Sequence, residues 1–211
     1  MSEPRAVVRV RGEASAEHAP DVAVLSVSAA AVSTESRAAA LEQAAAVVAA
    51  LRAALDGAAG VRQVSLSRVW VHERSDWDPA AGRPTPAGWE ATVGGSVRAD
   101  AAAAEELAAV VTAAGAGIDG ISWELDEPAA ARRAVRRAAV GAAREAAADL
   151  ADAVGRPLGP LRELADAGLS SGAAPEAMAV MGRAGGGPPL RLDPRDVVLH
   201  AVVEATYALG D

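Results

Sequence analysis

The chain has 211 residues, without cysteine, lysine, asparagine or phenylalanine, and its 28 acidic residues outweigh 20 basic ones, all arginine, for a net charge of -8. Lack of cysteine excludes thiolate catalysis, Cys-type zinc sites and disulfides, and the acidic balance argues against a general nucleic-acid surface. The core must come from Val, Leu, Ala, 4 Trp and a pair of Ile, so helices should lie close on their sheet.

From Val7 to Glu17 the residues alternate, Val8, Val10, Gly12, Ala14 and Ala16 on one side and Arg9, Arg11, Glu13, Ser15 and Glu17 on the other. This predicts a half-buried strand. Ala19-Pro20-Asp21 breaks the pattern, and Val22 to Val32 begins a second strand whose Ala23, Leu25, Val27, Ala29 and Ala31 are apolar; the two read as a long hairpin. Ser33 or Thr34 can cap a helix carrying Leu41, Ala45, Val48, Leu51 and Leu55 on one face, ended by Gly57 and Gly60. Strands follow over 61–72 and 89–99, joined by a polar, Pro/Gly-rich loop centred on Trp77.

Asp100 can cap a second helix that presents Leu107, Val110, Val111 and Ala114, and 118–125 reads as a fifth strand. Pro128 suits the first turn of a long third helix with Val135, Ala139, Ala142, Ala146, Leu150 and Ala153 inward, stopped by Gly155. A strand over 158–165, a loop expected to be flexible over 169–193, and an alternating strand from Val197 to Tyr207 close the chain. The expectation is one domain over 1–211 of the α+β class: a largely antiparallel sheet with three helices on one face, in the order ββαββαβαββ.

Met1-Ser2-Glu3-Pro4-Arg5 leads straight into the first strand with no apolar h-region, so no secretory signal is expected there. Arginines and acids interrupt the alanine-rich runs, so no membrane span is expected either. Both point to a cytoplasmic protein.

Val8-Arg9-Val10-Arg11-Gly12-Glu13-Ala14, followed by Pro20-Asp21-Val22-Ala23, resembles the opening of SIMPL-domain proteins. Gly120-Ile121-Ser122-Trp123-Glu124-Leu125-Asp126, then Ala139-Val140, Ala143-Arg144, Leu150-Ala151, Gly155 and Leu158-Gly159, is similar to the family's strand, long helix and Gly-x-x-Leu-Gly exit. Met178-Ala179-Val180-Met181 before the final strand resembles its late Met/Ala stretch. The resemblance implies kinship with bacterial envelope or periplasmic proteins, some linked to oxidative-stress tolerance and some forming large ring-like oligomers. It carries over no catalytic motif, and the exported members begin with a signal peptide, which is not expected here from the residues ahead of the first strand.

Candidate sites are sparse. His18, His72 and His200 have no second histidine at i+2 or i+4, so a metal site would need them to converge with carboxylates such as Glu17, Glu73 or Glu204. Ser65, Ser67, Ser170 and Ser171 lack a nucleophile-elbow pattern. The glycines of 182–187 have no Lys-Ser or Lys-Thr partner for phosphate, and Arg132, Arg133, Arg136 and Arg137 read as a solvated helix face.

Trp77 in its polar surroundings, with Met178, Val180 and Met181 among glycines and prolines, marks a candidate interaction surface. The sequence therefore points to a non-enzymatic module that forms homo-oligomers, with no cofactor, no metal and no nucleic-acid partner, and with a stress-related role implied only by the resemblance. The alternative is an enzyme or small-ligand or metal-binding protein whose site forms from dispersed His and carboxylate residues.

Overall fold

The alternating residues at the start of the chain form a strand whose Val8, Val10, Gly12, Ala14 and Ala16 are the less exposed set; the computed structural model describes residues 6–80, 82–166 and 192–210. The elements run β1 (Val7–His18), β2 (Val22–Ser33), α1 (Arg37–Leu55), β3 (Val61–Asp78), β4 (Arg83–Asp100), a 3-10 turn, α2 (Ala104–Ala113), β5 (Gly117–Glu124), α3 (Pro128–Ala153), β6 (Leu158–Asp166) and β7 (Val197–Leu209). The class is α+β and the order is the expected one. All described pairings are antiparallel, and the strands are shared between two sheets, ordered β1-β7-β6 and β3-β4-β2-β5. The chain divides into two compact units, Met1–Ala19 with Leu125–Ala177 and Asp196–Asp211, and Pro20–Glu124 with Met178–Arg195.

In the first unit β7 is the middle strand. It pairs with β1 from Val7 opposite Ala208 to His18 opposite Val197, and with β6 on its other side. One face carries α3, whose Val135, Ala139, Ala143, Ala147 and Ala151 are buried. This stripe is rotated from the expected one: Leu150 is exposed and Ala143 replaces Ala142 at the centre. The cause is Gly12 on β1, where an added Cβ would stand 2.1 Å from the Ala139 carbonyl oxygen and 2.7 Å from the Ala143 Cβ. Such an approach accommodates nothing larger than alanine along the contact line.

In the second unit β2 and β4 are the central strands, and Ala23, Leu25, Val27, Val97 and Ala99 form the core with Leu51 and Leu55 of α1 and Leu107, Ala108 and Val111 of α2. The expected β1–β2 hairpin does not form. Both sides of β2 are taken, by β4 and β5, and the turn is pinned elsewhere: Asp21 N donates to Glu124 O (3.2 Å), and Ala101 N donates to Asp21 O (3.0 Å). Two caps also move. Ser36 caps α1, its Oγ accepting from Ala39 N at 3.0 Å, while the Asp100 carboxylate accepts from Arg62 Nε at 2.7 Å instead of capping a helix.

The buried residues of α1 are Ala40, Ala44, Leu51 and Leu55, whereas Leu41 and Ala45 are exposed. At 19 residues this helix is long and apolar enough, by length and composition alone, to cross a membrane. Its buried side is nevertheless seated on the sheet, as in a core helix.

Candidate interaction surface

The segment expected as a loop around Trp77 is strand. β2 ends with Ser33 opposite Trp89, so β3 and β4 continue past it as a two-stranded arm with Arg74 opposite Gly88, Ser75 opposite Pro86, Asp76 opposite Thr85, Trp77 opposite Pro84 and Asp78 opposite Arg83. Gly88 makes the departure possible. Its φ is 117°, and a Cβ there would lie 2.5 Å from the Ser33 carbonyl oxygen, a conformation and a clearance that only glycine tolerates. At the tip Asp78 holds the turn, its carbonyl accepting from Gly82 N at 2.9 Å and its Oδ1 from Ala80 N at 2.8 Å.

The prolines explain why this stretch resembled a loop. Proline lacks an amide hydrogen, so within a two-stranded ladder it belongs where its nitrogen faces away from the partner. Pro84 and Pro86 share one parity in β4, and no strand of β2 lies beyond them to need the missing donors. Paired to β3, they leave the far side of the arm without those amide hydrogens.

The β3 side differs. Among the described residues β3 is an edge strand paired only with β4. Its own irregularities lie early, where the register passes from Val61 to Gln63 and from Leu66 to Arg68; the later shift, between Arg74 and Ser75, is absorbed by β4, in which Gly88 and Pro86 are the successive partners. From Arg68 to Asp78 the edge is therefore regular.

Three large apolar residues stand exposed along it, Val69 (56%), Trp70 (53%) and Trp77 (65%). Trp70 is accounted for locally: its ring lies 3.2 Å from where a Cβ on Gly94 would be, and the Arg68 guanidinium sits 5.5 Å from the ring centroid, a cation–π distance. Among the described residues nothing comparable covers Trp77. Beside it Arg74 and Asp76 form an ion pair at 3.3 Å with both side chains about half exposed.

Met178, Val180 and Met181 lie outside the described residues. His18 and His200 sit on adjacent strands but at opposite parity, His18 opposite Val197 and His200 opposite Ser15, so they point to opposite faces. Among the described residues, His18 Nε2 is buried without a hydrogen-bond partner. His72 of β3 lies 3.9 Å from Glu90, its partner on β4. Among the described residues no group of three or more His, Asp or Glu could hold a metal. Arg132, Arg133, Arg136 and Arg137 are all exposed. An open depression of about 560 Å³ beside Arg52, Asp56 and Arg62 has one of its two arginines already engaged by Asp100.

Sequence reading singled out Trp77 but placed it in a loop, and did not foresee the strand edge that carries it with Val69, Arg74 and Asp76. The signal available was the opposite charges flanking Ser75. A family model described as SIMPL, Protein of unknown function (DUF541), matches residues 8–207. No curated protein matches the chain.

Proposed function

This chain belongs to the SIMPL family, and from that premise we propose that it is a non-enzymatic module that associates with copies of itself through the β3–β4 arm. The observation that carries this reading is Trp77, 65% exposed on a paired, proline-bounded arm. A ring presented on a ladder is held in place before any partner arrives, so less freedom is lost on docking than from a loose loop.

Magnitudes favour a symmetric contact. Covering roughly 120 Å² of indole is worth about 3 kcal/mol, while association costs about 4–15 kcal/mol in lost translational and rotational freedom. One ring is insufficient. Two copies related by a twofold axis present two rings and two strand edges to each other, since the same patch is used on both sides. Met178, Val180 and Met181 are expected to add flexible apolar contacts. A stress-related role and a cytoplasmic location remain parts of this reading that rest on family resemblance and on the sequence, respectively.

Light scattering coupled to gel filtration tests it. The intact protein should run above the 21.1 kDa of one chain, and Trp77→Ser should shift the population toward one chain while leaving the melting temperature in place. A wild type that is monomeric at tens of micromolar rejects self-association. An oligomer indifferent to Trp77→Ser rejects the arm as its contact.

A further inference from the structure

We infer that the second copy joins the β3 side of the arm, antiparallel, about a twofold axis at Ser75, so that Arg74 of each copy faces Asp76 of the other. This rests on the self-association proposed above and specifies its geometry. Four observations converge on it.

The arm has one usable edge. On the β4 side Pro84 and Pro86 remove the donors that a further strand would need. On the β3 side the backbone is regular from Arg68 to Asp78 and, among the described residues, pairs with nothing beyond β4, and residues 72–77 are all exposed. An incoming strand therefore adds beside β3.

The charges then choose the occupant and the register. Reading outward from Ser75, the neighbours are Arg74 on one side and Asp76 on the other. Antiparallel pairing of the segment with itself about Ser75 turns that opposition into complementarity, because position 74 falls opposite position 76 in both halves. The existing Arg74–Asp76 pair, 3.3 Å apart on one face, becomes half of a square in which the signs alternate. Moving the axis to His72 would set Arg74 against Trp70, and moving it to Val71 would set Arg74 against Arg68. Like charges directly opposite are destabilising, whereas opposite charges stabilise a cross-strand pair.

The same register places the indole. Trp77 falls opposite Glu73 of the second copy and diagonal to its Val71, which lie on one face by the two-residue alternation of the strand. Diagonal neighbours are within reach of an aromatic side chain, so each Trp77 can lie across the stem of Glu73 toward Val71. The exposed ring and the charge pattern thus call for the same axis.

Charge reversal in pairs tests this. Arg74→Asp and Asp76→Arg, each alone, should weaken self-association by about tenfold or more, because each homodimer then sets like charges opposite one another twice. Mixing the two variants should restore association as a mixed dimer, detectable by mass when one variant carries an isotope label. Since the chain has no cysteine, Ser75→Cys adds a single thiol that a short bismaleimide should link between copies in high yield, whereas Gln63→Cys on the same strand should not. Circular dichroism melts of each variant check that the fold persists. Association of wild type with single reversals indifferent, or a mixture that fails to restore it, overturns this register while leaving self-association standing. A monomeric wild type, which leaves the edge to some other occupant, overturns both.

Discussion

At Gly12 the missing side chain is what lets α3 lie on β1. A Cβ there would meet the Ala139 carbonyl oxygen at 2.1 Å, the Ala143 nitrogen at 2.5 Å and its Cβ at 2.7 Å, and backbone atoms cannot rotate away as a flexible side-chain end can. The helix answers with alanine at every fourth position, Ala139, Ala143, Ala147 and Ala151, all fully buried. Small residues on both sides reach native density without phenylalanine because the backbones themselves approach. Gly12→Ala should therefore destabilise the fold by about 1–3 kcal/mol or more through overpacking, lowering the midpoint of thermal unfolding. Gly141→Ala, on the same helix with nothing within 4 Å of the added Cβ, should instead be neutral or stabilising, since alanine is favoured over glycine in a helix by roughly 1 kcal/mol. Calorimetry on the two variants checks the contrast; equal midpoints would refute the close approach.

Where one face of a strand is buried, alternation reports it, and β1, β2 and β7 follow the expected ranges within a residue or two. The arm has water on both faces, so residues 73–78 show no apolar period and only Pro and Gly remained visible, which is how strand came to look like loop. In α1 the helix was legible but its orientation was not: alanine spacing fits several faces, and the larger Leu41 pulled the expected face by one position. The structure buries Leu51 completely and leaves Leu41 at 41% exposure. Leu51→Ala should cost about 2–5 kcal/mol as a core truncation, and Leu41→Ala should stay within about 0.5 kcal/mol. Urea titrations should show a large fall in midpoint for the first alone; a comparable fall for Leu41→Ala would put the wrong face inward.

At the scale of the whole molecule, strand pairing over long sequence separations decided what periodicity could not. Each strand's inward face was readable, but β1 finding β7 and β2 inserting between β4 and β5 depend on which edges are satisfied, and no local pattern encodes that. The consequence is a division with unequal continuity. Everything in the sheet β3-β4-β2-β5 and both of its helices comes from Pro20–Glu124, a stretch of about 100 residues and so the size of an ordinary domain. The sheet β1-β7-β6 draws on both ends of the chain, with β7 in its middle. The stretch 20–124 should consequently fold alone, with a cooperative melt and the circular dichroism of mixed helix and strand. Its midpoint should drop modestly, since Leu192, a partly buried neighbour of that core, is lost. Removing 197–211 from the full chain should do the reverse: it takes away the strand that both β1 and β6 pair with, so the transition belonging to that sheet should vanish while the other persists. A fragment 20–124 that melts without cooperativity, or a truncated chain that loses all structure, would show that the two units stabilise only together.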